Sequence, residues 1–326
     1  MNGAPIPMTD TPEILVTAPM PDVERALAPR FTLHRLYQAP DREAFLADVG
    51  PRIAGVAVSS SGGPFGEEVL RHLPNVQITA SFGVGYDHID IPAVTERRLI
   101  VTNTPGVLTE EVADLTVGLL LATLRQIPAA ERHVREGLWT QRSFPLSASL
   151  RGRTVGILGL GDIGLATARR LAAFDVGIAY HARHRKDVPY AYYDSPVALA
   201  SAVDVLIVLT PGGPATQHLV GAPVLTALGP DGVLINVARG SVVDTEALVD
   251  ALRNGTILSA GLDVFEDEPR VPQALIDMPH VVLLPHIGSA SVVTRAAMSG
   301  LVADNLLAWF DTGKPLTPIV ESRPFL

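Results

Sequence analysis

Short apolar runs alternate with amphipathic stretches along the chain, a pattern that predicts α/β architecture with mostly parallel strands. The first set of runs is Ile14–Ala18, Phe31–Leu36, Ile53–Val58, Val76–Ala80 and Ile100–Asn103, separated by helical stretches around Val23–Ala28, Arg42–Val49, Glu67–Leu73 and Val94–Arg98. A second set follows at Thr154–Leu158, Gly177–Tyr180, Val205–Leu209, Val233–Val237, Ser259–Val264 and Val281–Leu284. Between the sets, Thr109 suits a helix N-cap with Glu110 and Glu111 in the positive first turn, and that helix runs to about Arg125. Residues 126–150 read as an extended arm, and a last helix spans about Val292 to Phe310. A final helix of this kind commonly crosses back to the first domain. The predicted plan is therefore two doubly wound parallel-sheet domains, one over residues 1–105 completed by 290–326, the other over 106–289.

Composition narrows this picture. A chain of 326 residues is too long for one ordinary core and suits two. The longest apolar run, Leu115 to Leu124, is interrupted by Thr116, Gly118 and Thr123, short of the ~20 residues a bilayer span needs, so no membrane association is expected. Residues 1–12 lack the basic cluster and apolar stretch of a signal peptide. The absence of cysteine excludes disulfides and thiolate chemistry and fits a reducing cytoplasm. A net charge of −9 argues against nucleic-acid binding. It also means that a site for anionic ligands must hold a local positive cluster.

The sharpest motif is Gly159-Leu160-Gly161-Asp162-Ile163-Gly164. Alone such a pattern is weak, but here it follows the apolar strand Val155–Leu158, opens a helix over Leu165–Phe174, and precedes another strand. In that setting Gly159 permits the tight turn, Gly161 admits a pyrophosphate to the backbone, and Gly164 lets helix pack on strand, with Asp162 and Ile163 opening the helix whose N-terminus faces the phosphates. Dinucleotide choice is set after the next strand. NAD-binding sites place an acid about 20 residues past the first glycine. Here Tyr180-His181-Ala182-Arg183-His184-Arg185-Lys186 has no acid before Asp187. Arg183 and Arg185 can make charge-assisted bonds to a 2′-phosphate, so NADPH is the expected cofactor, with NADH possible. They also supply the positive cluster that the net charge calls for.

With these residues in view, the chain resembles the D-isomer-specific 2-hydroxyacid dehydrogenases, and within them the NADPH-dependent glyoxylate/hydroxypyruvate reductases. The resemblance covers nearly the whole chain. It is carried by Gly83-Val84-Gly85, residues 101–105 (Val-Thr-Asn-Thr-Pro), Thr109–Asp114, the glycine motif, residues 236–240 (Asn-Val-Ala-Arg-Gly), 261–269 (Gly-Leu-Asp-Val-Phe-Glu-Asp-Glu-Pro) and 284–289 (Leu-Pro-His-Ile-Gly-Ser), in the family's order. It implies a reductase that transfers hydride to a small 2-oxo acid. Of the catalytic set, His286 would be the proton donor, Glu268 the carboxylate orienting it, and Arg239 the cation that binds the substrate. Val84 and Gly85 resemble backbone donors to the substrate carboxylate. Thr210, Pro211, Val237 and Ala238 resemble cofactor-lining strand ends, and Asp263 the residue that bonds the nicotinamide carboxamide. Trp139 matches a position from which a partner subunit's tryptophan enters the substrate pocket, or it staples the arm to its neighbouring domain. A homodimer is implied, with the Thr109–Arg125 helix and the arm at its interface, and catalysis between the two domains. One departure stands out: the family's turn at the 2′-phosphate is usually Ser-Arg-Ser/Thr, and here it is Ala182-Arg183-His184.

Other readings compete. Dinucleotide-sensing corepressors resembling this family keep the Arg, Glu and His but use a partner groove or regulatory tail, and no long polar tail follows the last helix. A nearer alternative is another oxidoreductase on the same scaffold, acting on formate or phosphite. Formate chemistry needs no proton donor paired to a carboxylate, so the Glu268–His286 pair speaks against it, and no His or acidic spacing left over suggests a metal site. Larger 2-oxo acids stay open, because the small residues of Ser59–Gly66 allow a roomier wall.

Overall fold

The computed structural model describes residues 11–326. The expectation for residues 1–12 therefore falls almost wholly outside the described part. The chain divides into two compact units, one running to Leu108 and resumed at Val292–Leu326, the other Thr109–Ser291.

The first unit is built on β1 (Glu13–Val16), β2 (Thr32–Arg35), β3 (Ile53–Val58), β4 (Ile78–Ser81) and β5 (Ile100–Thr102), all parallel, in the spatial order β2-β1-β3-β4-β5. That is the flavodoxin-like order of a doubly wound sheet. Both faces are covered, which explains why β3 is apolar and buried at every position. The helix Val292–Thr312 covers one face, with Val302, Ala303 and Leu306 packed among Ile14, Val16, Ile78 and Ile100.

The second unit carries β6 (Thr154–Leu158), β7 (Gly177–His181), β8 (Ala191–Tyr192), β9 (Val205–Val208), β10 (Val233–Asn236), β11 (Ser259–Leu262) and β12 (Val282–Leu283). They too are parallel, in the order β12-β11-β10-β9-β6-β7-β8. Counted from β6, this is the Rossmann order extended by one strand, and the order reverses between β6 and β9. Ligands of open α/β sheets bind beyond the carboxyl ends of strands at such a switch point.

The expected pair of doubly wound parallel sheets is what the chain forms. The extended arm requires correction. Residues Ile127–Arg135 are a helix, with Pro128 in its first turn, bent 61° from the helix Thr109–Leu124 across Gln126 in the left-handed region (φ 50°). Proline suits a first turn because its missing N–H has no helical partner there. The stretch expected at Val94–Arg98 starts earlier, at Ile91–Glu96, because Asp90 caps it by accepting from the Ala93 N–H at 3.1 Å. The helix expected from a Thr109 cap begins at Thr109 itself. Among the described residues no single helix is long and apolar enough to cross a membrane.

Candidate active site

The glycine motif lies at the switch point, just beyond β6. Gly159 has φ +103°, a region that L side chains avoid, and a Cβ there would stand 2.7 Å from the Thr210 amide nitrogen, which follows β9. A Cβ on Gly164 would stand 2.5 Å from the Gly159 carbonyl oxygen, so only glycine lets the helix Asp162–Leu171 start this close to the strand. Gly161 is the opposite case: nothing occupies the space where its Cβ would be. It is the N-cap of that helix with no side chain over the first-turn N–H groups, and the Oγ1 of Thr210, the residue whose amide adjoins Gly159, is buried without a hydrogen-bond partner among the described residues. A bare ten-residue helix N-terminus, an open glycine and an orphaned hydroxyl suit a phosphate-bearing dinucleotide.

The basic turn after β7 is held from beneath. The Tyr180 hydroxyl accepts from the Lys186 N–H at 2.7 Å and donates to its carbonyl at 3.2 Å, while Gly159 N–H donates to the His181 carbonyl at 2.9 Å. Arg183 and Arg185 are exposed on this turn and ion-pair with no other described residue. Thr210 and Pro211 lie just beyond β9, and Val237 and Ala238 follow β10, both of the latter buried.

Three side chains of the second unit form the candidate catalytic set. His286 follows β12 with φ 54°, and its Nδ1 is 2.7 Å from the Glu268 Oε2. The other Glu268 oxygen, Oε1, accepts from the Phe265 N–H at 3.0 Å. Burial pushes the Glu268 carboxyl up. The His286 hydrogen bond, the Phe265 N–H and the positive charges of His286 and Arg239 outweigh it and hold the group below its ordinary value of 4.5. Arg239 follows β10, and its carbonyl accepts from the Asn236 side chain at 2.9 Å, which fixes the turn carrying it. Gly240 packs against the Phe265–Glu266 backbone, where a Cβ would lie 1.9 Å from the Phe265 carbonyl carbon. A cavity of about 330 Å³ opens behind this turn, lined by Asn236, Gly240, Leu248, Leu262 and Phe265 among others.

Asp263 is 1 % exposed and burial raises its pKa, against hydrogen bonds that lower it. Its Oδ1 accepts from the Ile287 N–H at 2.7 Å and its Oδ2 from the Gly288 N–H at 2.8 Å, while its carbonyl accepts from the His286 N–H at 2.8 Å. Asp263 thus clamps the loop that presents His286, a role with no signal in the local pattern of residues. Any contact to a carboxamide would use the second lone pairs of those same oxygens.

In the first unit, Val84 and Gly85 lie in the turn beyond β4. Their N–H groups donate to nothing among the described residues. The turn is fixed by neighbours: Asn103 Nδ2 donates to the Val84 carbonyl at 2.8 Å, Thr104 N–H to the Gly83 carbonyl at 3.0 Å, and Phe82 N–H to Val58 at 2.8 Å. Trp139 is 69 % exposed in a short turn after the Ile127–Arg135 helix. Among the described residues no cluster of three or more His, Asp or Glu could hold a metal ion.

Comparison with known proteins adds three kinds of finding. Residues 117–288 match the model of the D-isomer specific 2-hydroxyacid dehydrogenase NAD binding domain. The chain is 46 % identical over 310 residues to the hydroxyphenylpyruvate reductase of Plectranthus scutellarioides, covering 94 % of this chain and 98 % of that protein. It is 45 % identical to a glyoxylate/hydroxypyruvate reductase of Arabidopsis thaliana over 94 % and 98 % of the two chains. Among solved structures, the NADPH-dependent glyoxylate/hydroxypyruvate reductase of Sinorhizobium meliloti, in complex with NADP and malonate, superposes with a TM-score of 0.92 at 53 % identity, covering 96 % of this chain and 98 % of that one.

Proposed function

Because the chain belongs to the D-isomer-specific 2-hydroxyacid dehydrogenases, we propose that it is an NADPH-preferring reductase that converts small 2-oxo acids, glyoxylate and hydroxypyruvate foremost, to D-2-hydroxy acids. One contact carries the reading: the 2.7 Å hydrogen bond between His286 Nδ1 and Glu268. A carboxylate on Nδ1 accepts that nitrogen's hydrogen bond and fixes the ring's orientation, which leaves Nε2–H as the proton donor.

In this reading Gly159, Gly161, Asp162, Ile163 and Gly164 hold the pyrophosphate and Arg183 and Arg185 the 2′-phosphate. Thr210, Pro211, Val237, Ala238 and Asp263 line the rest of the dinucleotide. When bound, the reduced nicotinamide supplies a hydride to the carbonyl carbon. His286 gives its Nε2 proton to the carbonyl oxygen as negative charge gathers there, and is reprotonated from solvent. Glu268 stays ionised throughout, steadying the imidazolium rather than taking the proton. Arg239 and the N–H groups of Val84 and Gly85 hold the substrate in place. Steady-state rates with glyoxylate, hydroxypyruvate and pyruvate, each with NADPH and NADH, test this. An enzyme that turns over none of them rules it out.

The cofactor preference has its own prediction. Each charge-assisted bond to a 2′-phosphate contributes about 1.5–3 kcal/mol, so Arg183→Ala should weaken NADPH binding by roughly tenfold or more and leave NADH nearly as it was. Equal losses for both cofactors in a fluorescence titration would refute the assignment.

The proposal extends to a cytoplasmic homodimer. Ile127, Val134, Trp139 and Leu146 are exposed apolar side chains in and after the Ile127–Arg135 helix, the kind of patch a second subunit covers. Sedimentation equilibrium should return twice the chain mass of 34.5 kDa. A second substrate class, larger 2-oxo acids, is favoured by the 46 % identity to a hydroxyphenylpyruvate reductase. The corepressor alternative draws no support from these relatives, whose names are those of reductases.

A further inference from the structure

We propose that Arg295 supplies the charge of a carboxylate-binding corner in the first unit, completing a cradle whose other donors are the N–H groups of Val84 and Gly85. The inference rests on the 2-oxo acid reading and adds to it a residue outside the Arg239–Glu268–His286 set.

Arg295 lies in the first turn of the helix Val292–Thr312, and its guanidinium sits over the Phe82 ring, 5.4 Å from the centroid. The side chain is half-buried and makes no ion pair or hydrogen bond with any described residue. Burial alone acts on it, lowering its pKa. A cation removed from water and left without an anion is a group waiting for one, because buried charges are ordinarily paired. Phe82 is also the residue that leads into the Gly83–Gly85 turn, so the cation and the two idle N–H groups stand on the same stretch of chain. All three sit beyond the carboxyl end of β4, and the Phe82 N–H bond to Val58 ties the turn to the end of β3, beside the β1–β3 switch point of this sheet. Two adjacent N–H donors and a planar guanidinium match a planar, two-oxygen anion, and the Phe82 ring holds the cation next to the turn by cation–π attraction. In a chain with net charge −9, a fixed cation here is also what draws an anionic substrate in.

The test compares wild type, Arg295→Gln and Arg295→Lys on glyoxylate and on its methyl ester, which keeps the reacting carbonyl and lacks the anion. Arg295→Gln should raise KM for glyoxylate by roughly ten- to hundredfold, the worth of a lost charged hydrogen bond, with kcat unchanged, as expected when a ground-state contact is removed. KM for the ester should stay at the wild-type value, and Arg295→Lys should recover part of the loss on the acid. If acid and ester suffer alike, or neither changes, the corner does not exist. Calorimetric titration with oxalate gives a readout free of turnover: wild type binds it, Arg295→Gln does not, and the melting temperatures agree. Oxalate bound equally by both would overturn the proposal even in an active enzyme. Oxalate binding lost in Arg295→Gln, in an enzyme inert toward all 2-oxo acids, would sink the activity and keep the corner.

Discussion

Replacing His286 with Asn should lower kcat for glyoxylate reduction by roughly 10²–10⁴-fold, the contribution of a positioned general acid, while NADPH affinity measured by fluorescence titration stays at the wild-type value. The side chain is 39 % exposed and touches Glu268, so its loss removes a proton donor without opening a core cavity. Glu268→Gln is the subtler companion. The Glu268 carboxyl is held below its ordinary value, so over the neutral range the ring faces an anion. The sign follows from that. A carboxyl with a lowered folded-state pKa stabilises the fold above its unfolded-state value, and that contribution disappears as pH falls through the folded-state value. Acid should therefore dissolve the pair from the glutamate side. Glutamine cannot titrate, so Glu268→Gln should lower kcat across the pH range and lose the acid-side fall in kcat/KM that protonation of Glu268 produces. An acid limb kept in Glu268→Gln, or a His286→Asn enzyme of normal kcat, would remove the pair from the chemistry.

Gly240→Ala should cost both stability and rate. The added Cβ would lie 1.9 Å from the Phe265 carbonyl carbon and 2.2 Å from the Glu266 nitrogen, all backbone, so the Phe265–Glu268 turn must retreat. The cavity of about 330 Å³ behind it gives the turn somewhere to go, which keeps the destabilisation near the ordinary overpacking range of about 1–3 kcal/mol. For a domain of this size that is a melting temperature lower by roughly 2–4 °C per kcal/mol. The rate should fall further than stability suggests. Phe265 N–H is a hydrogen-bond donor to Glu268, Arg239 is the residue before Gly240, and a displacement of about 1 Å can cost on the order of 10²-fold. Normal kcat/KM with a normal melt would mean that the turn tolerates the change and that the tight packing has no catalytic meaning.

Much of this was legible along the chain. The buried strands β3 and β9 are continuous apolar runs, and the glycines at 159 and 164 stand where backbone approaches backbone, which no other residue allows. The Ile127–Arg135 helix is only nine residues long, opens on Pro128 and buries a single residue, His133, so its one-sided pattern is too brief to stand out from an extended arm. β8 is two residues long, too short for any alternation, whereas the equally short β12 lies inside the expected run Val281–Leu284. The Asp263 clamp joins residues 24 and 25 positions apart, and Arg295 gains meaning only once Phe82 lies beneath it. Contacts of that range leave no trace in local pattern.

The phenol of Tyr180 grips Lys186 at both its amide and its carbonyl, so the loop is anchored at its far end and not by its own side chains. Residues 182–185 are thereby a replaceable cassette. An engineer wishing to swap the coenzyme used by this enzyme could rewrite those four positions, placing an acid where Arg183 stands, and leave the scaffold beneath them intact.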